Sequence, residues 1–176
     1  MTIESIIDKK KKKIIRFKVI TPVYETLIIK EDLPDYPSIK APISSSQIVY
    51  DLFKFLIPET KEHFITLHLD SKNKILAVER ISTGSMNANI VHPREVFKSC
   101  LLSSAAAIVC IHNHPSGNPE PSSEDYEITK RLNDGADILG IRFLDHVIIG
   151  DGAYVSFADR GRIETSTSNG PTIIRT

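Results

Sequence analysis

Cysteine is scarce in this chain: among 176 residues only Cys100 and Cys110 occur, and no Cys-x-x-Cys pair exists. Two thiols cannot build an all-cysteine structural zinc site. Both fall in segments expected to be buried, where free cysteine acts as a small hydrophobe, and a reducing cytoplasm is the expected compartment. Net charge is also missing. Lysine plus arginine balance aspartate plus glutamate at 22 each, so bulk electrostatics make no case for nucleic acid or for a membrane surface. No apolar run approaches the ~20 residues that a membrane span requires. The N-terminus has a lysine run but no apolar segment followed by a small-residue cleavage site, so no signal peptide is expected. No internal repeat is found. What remains, 41% hydrophobic and 25% charged, fits one globular domain with a real core plus an appendage.

The appendage is residues 1–43, and it reads as basic and β-rich. Lys9–Lys13 is an unbroken lysine run, and Met1–Ile20 carries seven basic residues against Glu4 and Asp8. Two strand-like stretches, Ile14–Ile20 and Tyr24–Ile29, flank Pro22, and Pro34, Pro37 and Pro42 mark a linker or extended wrap. The simple reading is a solvated tail leading into an edge hairpin whose strands can pair across a dimer. The alternative is a basic arm that contacts nucleic acid.

Residues 44–163 carry the regular patterning. Ser44–Ile57 starts on serine, places Ile48, Leu52, Phe53 and Leu56 on one side and ends at Pro58, which predicts a helix. Glu62 opens a strand in which Ile65, Leu67 and Leu69 alternate, and the turn Ser71–Lys74 leads to its hairpin partner, Ile75–Ser82. Pro93 suits a first helical position, with Val96, Phe97, Cys100 and Leu101 as the apolar face. Ala105–Ile111 reads as a buried strand. Ile128, Leu132, Ala136 and Leu139 line a further helix that Gly140 can end. Ile141–Ile149 and Ala153–Phe157 flank Gly150-Asp151-Gly152, a hairpin signal. The order α-β-β-α-β-α-β-β implies an α/β domain, a mixed sheet with helices packed on it. Residues 164–176 read as a polar, frayed tail.

The densest chemistry is His112-Asn113-His114, then Ser122 and Asp125: His-x-His-x7-Ser-x2-Asp. Two histidines two apart at a strand end present their rings from one face. Pro115, Gly117, Pro119 and Pro121 force a loop, and Asp125 in the first turn of the next helix can come back towards both imidazoles. Two histidines, one carboxylate and an open fourth position is how catalytic zinc is usually held. Taken alone, Ser122 and Asp125 also form a capping box that needs no metal. The patterns of other zinc enzymes are missing: there is no His-Glu-x-x-His helix and no His-x-Glu with Pro-Cys-x-x-Cys. Asn113 alternates to the opposite face, where a hydrogen bond holding the loop is its simplest role. Asp145 and His146, a polar pair in an apolar strand, read either as partners that fix a ligand's tautomer or as a satisfied core pair. His63, His68 and His92 read as surface or helix-start residues.

The segments Gly84–Phe97, His112–Asp125 and Leu144–Gly150 together resemble the RadC family, whose MPN domain carries a JAMM metalloprotease motif. The resemblance covers roughly residues 44–163, with several motifs in order and at matching spacing. It implies a cytidine-deaminase-like α/β fold and a zinc site in which His112, His114 and Asp125 are the ligands. Ser122 matches the motif serine, and Glu62 matches the upstream glutamate; Glu79 on the neighbouring strand is the alternative. The implied activity is zinc-dependent hydrolysis of an amide, peptide or isopeptide bond in a peptide or protein substrate, with Glu62 as the base and Ser122 stabilising the oxyanion. The helix-hairpin-helix region often present in the family has no counterpart in residues 1–43. The rival expectations are a non-catalytic MPN scaffold and a DNA-repair accessory.

Overall fold

The computed structural model describes residues 41–84 and 91–163. The lysine run, the two N-terminal strand-like stretches, most of the proline-rich linker, the 85–90 part of the first family segment and the polar tail lie outside the described residues. Within them the element order is α1 (Ser46–Phe53, extended by a 3-10 turn at Lys54–Leu56), β1 (Glu62–Leu69), β2 (Ile75–Gly84), α2 (Pro93–Leu102), β3 (Ala107–Asn113), α3 (Ser123–Leu139), β4 (Arg142–Ile149) and β5 (Tyr154–Ser156). This is the order read from the sequence.

The five strands form one sheet in the order β2-β1-β3-β4-β5. β1 runs antiparallel to both β2 and β3, and β5 is antiparallel to β4. β3 and β4 are parallel. A parallel pair cannot be closed by a tight turn, so α3 makes the crossover and must begin just beyond the end of β3. That requirement puts the start of α3 beside the last residues of β3, where the histidines are.

Helices cover both faces. Val49, Phe53 and Leu56 of the α1 region pack with Ile65, Leu67, Val109, Ile111, Val147 and Ile149 on one side. Val96, Phe97 and Cys100 of α2 and Leu132 and Ala136 of α3 pack with Phe64, Ile108, Cys110 and Phe143 on the other. Each fully buried Leu, Ile or Phe contributes about 1.5–3 kcal/mol relative to exposure.

Double coverage explains one departure from the sequence reading. β1 is not half-buried; every residue from His63 to Leu69 is buried. His63 and His68, expected at the surface, are 5% and 1% exposed. The second face of β1 lies under the helices, so its polar side chains find partners inside. His68 has Ser103 Oγ at 2.9 Å from Nδ1 and Thr66 Oγ1 at 3.2 Å from Nε2. His92 is the half-buried N-cap residue of α2, with Pro93 at the first helical position, as expected. Gly140 ends α3 in the left-handed region at φ 68°, a conformation that costs glycine nothing. Among the described residues no helix is long and apolar enough to cross a membrane.

Candidate metal centre

His112 is the penultimate residue of β3 and His114 follows its end. The His114 amide donates to the Ile149 carbonyl at 2.9 Å, which keeps the chain beside β4 for one residue past the strand. The loop then folds tightly: the Gly117 amide donates to the His114 carbonyl at 2.9 Å, and the Asp151 amide donates to the Gly117 carbonyl at 2.8 Å. Glu120 accepts a forked pair of bonds from the Arg160 guanidinium at 2.7 and 2.9 Å. The loop is thus held by the β4–β5 turn on one side and by the segment after β5 on the other.

Gly150 is required by that packing. A Cβ there would run into the Gly117 carbonyl oxygen and come within 2.6 Å of Pro119 Cδ. The sequence marks Gly150 only as part of a turn; its role in admitting the loop belongs to the tertiary structure.

The loop delivers Ser122 as N-cap of α3, with Asp125 at the third helical position. The capping box is complete: Ser122 Oγ accepts from the Asp125 amide at 3.2 Å, and Asp125 Oδ2 accepts from the Ser122 amide at 2.8 Å. The Ser122 hydroxyl also donates to Asp125 Oδ2 at 2.7 Å. These bonds orient the carboxylate, whose oxygens then face the two imidazoles: Oδ1 lies 3.2 Å from His112 Nε2 and Oδ2 lies 3.4 Å from His114 Nε2. The capping and ligand readings of Ser122 and Asp125 are therefore compatible, because capping is what aims the carboxylate.

The two Nε2 atoms are 2.9 Å apart. His114 Nδ1 is 2.8 Å from the Asn118 carbonyl, which can only accept, so that nitrogen carries the ring proton and Nε2 presents a lone pair. One ligand atom from each of His112, His114 and Asp125 falls within 4.8 Å of the others. Tetrahedral zinc with bonds of about 2.0–2.1 Å sets neighbouring ligand atoms roughly 3.3 Å apart. Small adjustments of these side chains suffice to reach that spacing, and the nitrogen–nitrogen–oxygen set suits zinc. The residues fit the group that the motif implies.

Electrostatics point the same way. Burial opposes ionisation of Asp125, but the adjoining His112 and His114 imidazoles and the Ser122 amide outweigh it and hold the carboxyl well below its ordinary range. Burial likewise opposes charging His114, yet Asp125, the Asn118 carbonyl and the charge of Glu62 together raise its pKa. The pocket favours positive charge. His112 is 1% exposed, whereas the His114 side chain keeps 18%, so access is from the His114 side.

Glu62 is the half-buried first residue of β1, across the sheet from Gly84. The alternative, Glu79, pairs with Thr66 further along the hairpin, and its charge acts on His68 and Cys100 under α2. Asn113 makes structural hydrogen bonds, but to the start of β1 rather than within the loop that the sequence suggested it would hold. Its Oδ1 accepts from the His63 amide at 2.9 Å and its Nδ2 donates to the Lys61 carbonyl at 3.0 Å, on either side of Glu62.

Asp145 and His146 have separate tasks. Asp145 accepts from the Ser156 hydroxyl at 2.6 Å and from the amides of His146 and Ala158 at 2.7 and 2.9 Å. Burial raises its pKa against those bonds. His146 is fully buried, which pushes its pKa well down. Its Nε2 is 2.8 Å from His112 Nδ1 and its Nδ1 is 2.6 Å from Thr129 Oγ1. The sequence reading missed Thr129; its signal is the spacing of four from Asp125 on one helical face. Asn118 was missed because it acts through its carbonyl, about which side-chain identity says nothing.

The family model described as RadC-like JAB domain matches residues 43–162, a span that contains the whole sheet, all three helices and every candidate site residue. A UPF0758 protein of Methanosarcina mazei is 50% identical over 146 residues, 82% of this chain and 63% of that protein. One from Geotalea uraniireducens is 51% identical over 126 residues, 72% of this chain and 55% of that protein. One from Methanococcoides burtonii is 56% identical over 117 residues, 64% of this chain and 51% of that protein. The chain spans about half to three-fifths of the length of these relatives. Its five-stranded mixed sheet and three helices agree with the JAB/MPN fold that the sequence resemblance implied. On the strength of the matched span and these identities, the chain belongs to the RadC-like JAB domain family.

Proposed function

We propose that this domain is a zinc-dependent hydrolase of the JAMM type that cleaves an amide, peptide or isopeptide bond. The observation that carries the reading is the convergence of His112 Nε2, His114 Nε2 and the Asp125 carboxylate, with the His114 ring proton already committed to Asn118. These three side chains would hold the metal. Zinc bound there supplies Lewis acidity, which makes water a competent nucleophile near neutral pH.

The remaining work falls to protein groups. Glu62, braced on both sides by Asn113 and electrostatically coupled to His114, takes the proton of the attacking water and delivers it to the leaving amine. The Ser122 hydroxyl, which donates to Asp125 at rest, turns to the developing oxyanion. A donor of that kind is typically worth ~10²–10³ in rate.

A non-catalytic scaffold is the second reading, favoured by the complete capping box, which stabilises the helix start whether or not chemistry follows. Elemental analysis and amide hydrolysis separate the two. The enzyme reading expects about one zinc per chain, lost in His112→Ala, and turnover abolished in Glu62→Gln with zinc retained. Zinc without turnover on any amide or isopeptide substrate favours the scaffold. Full activity in Glu62→Gln eliminates that residue as the base. The Lys9–Lys13 arm is a separate proposal: if it binds nucleic acid, affinity falls steeply with salt and disappears on deletion of the run.

A further inference from the structure

We propose that His146 and Thr129 are positioning residues that lock the His112 ring with its proton on Nδ1 and its Nε2 lone pair facing Asp125 and His114. The inference rests on the metal-site reading above, and it follows from one atom that can only accept. Thr129 Oγ1 lies 2.6 Å from the carbonyl oxygen of Asp125, one helical turn back. A carbonyl cannot donate, so the single hydroxyl proton of Thr129 is spent there. Towards His146 Nδ1, at 2.6 Å, the hydroxyl therefore accepts, and that nitrogen carries a proton.

His146 is a neutral ring in these surroundings. It is 0% exposed, stacks on Phe157 with centroids 5.1 Å apart and has Phe64 at 5.4 Å. Its neighbour Asp145 bonds the His146 backbone amide, Ser156 and Ala158, not the ring. A neutral imidazole with a proton on Nδ1 is bare at Nε2. That nitrogen, 2.8 Å from His112 Nδ1, accepts, so His112 carries its proton on Nδ1 and is left with a free Nε2. Each bond thus sets the direction of the next, from the Asp125 carbonyl through Thr129 and His146 to His112.

The arrangement couples two of the three proposed ligands. The helical turn that brings the Asp125 carboxylate to the site also holds, through Thr129, the hydroxyl that sets the tautomer of His112. Without this relay His112 can place its proton on Nε2, the nitrogen that must bind the metal, and each binding event then requires a tautomer shift.

Two measurements test it. The first is the long-range proton–nitrogen spectrum of metal-free protein carrying ring-labelled histidine, which distinguishes protonated from bare ring nitrogens. His146 is expected with Nδ1 protonated and Nε2 bare; the opposite tautomer overturns the proposal. The second is zinc affinity by chelator competition for wild type, Thr129→Val and Thr129→Ser. Thr129→Val keeps the side-chain shape and removes the acceptor, so affinity should fall about 10–100-fold, the usual effect of losing a ligand's hydrogen-bond partner. Thr129→Ser restores the hydroxyl and should bind within a few-fold of wild type, which loss of packing alone would not predict. Wild-type affinity in Thr129→Val overturns the relay while leaving the metal site standing. If wild type itself binds no zinc, the metal reading fails, and the His146 tautomer still decides whether the relay exists.

Discussion

Asn113 accepts the backbone amide of His63 at 2.9 Å, taking through a side chain the bond that the β1–β3 ladder no longer supplies. That ladder stops at the Phe64–His112 pair. One residue further the carboxamide of Asn113 stands in for the missing peptide, giving an acceptor to His63 and a donor to Lys61. The residue between the two histidines thus ties the start of β1, with Glu62, to the end of β3. Asn113→Ala removes both bonds and leaves the buried His63 amide unpaired, at a cost of about 1–3 kcal/mol. In denaturant unfolding we expect that loss, with zinc stoichiometry unchanged and turnover reduced. A variant as stable and active as wild type would show that the brace is idle.

Gly150→Ala probes the seat of the loop. The added methyl meets the Gly117 carbonyl and Pro119, both backbone-restrained, so the loop must move rather than a side chain rotate. Overpacking of this kind costs about 1–3 kcal/mol. Because the displaced loop also carries the Asn118 carbonyl that holds His114, zinc affinity should fall together with thermal stability. Unchanged affinity in a destabilised variant would separate the loop from the site.

Ser122 has two roles that one substitution can divide. Ser122→Ala deletes the helix cap, worth about 1 kcal/mol of stability. It also deletes the proposed oxyanion donor, worth ~10²–10³ in turnover. Unfolding and kinetics on the same preparation test both. If turnover falls no further than the folded fraction explains, the hydroxyl is a cap and nothing more.

His68 predicts a pH dependence away from the metal site. Burial lowers its pKa below the ordinary 6.5, with the charge of Glu79 opposing in part. Thr66, Ser99, Ser103 and the Cys100 thiol complete the ring's surroundings, and burial pushes that thiol up to about 12. As pH falls below about 6.5 the unfolded chain binds a proton at this imidazole that the folded chain does not, so stability declines until the folded-state pKa is passed. Urea unfolding across that range should therefore show a flatter profile for His68→Gln than for wild type. Every other histidine is common to both proteins, so the difference between the profiles reports His68; parallel profiles would contradict the assignment.

Much of this domain was legible before folding. Element order, the hairpins, Pro93 at a helix start and Gly140 at a helix end follow from local patterning, because each depends on backbone preferences and on apolar spacing within one segment. The His112, His114 and Asp125 set was legible for the same reason: a strand end, a stiff loop and a helix start lie within fourteen consecutive residues. His63 and His68 were misjudged as surface residues, since nothing in β1 itself announces helices on both of its faces.

The sequence by itself therefore determined which elements form, where they begin and end, and which side chains the short loop can gather. Only the tertiary structure decided that Asn113 braces β1, that Gly150 makes room for the loop, and that Thr129 and His146 stand behind His112. The physical reason is range. Those relationships join residues on different strands and helices, and their bond directions and close approaches exist only once the sheet order has brought β1, β3, β4 and α3 side by side.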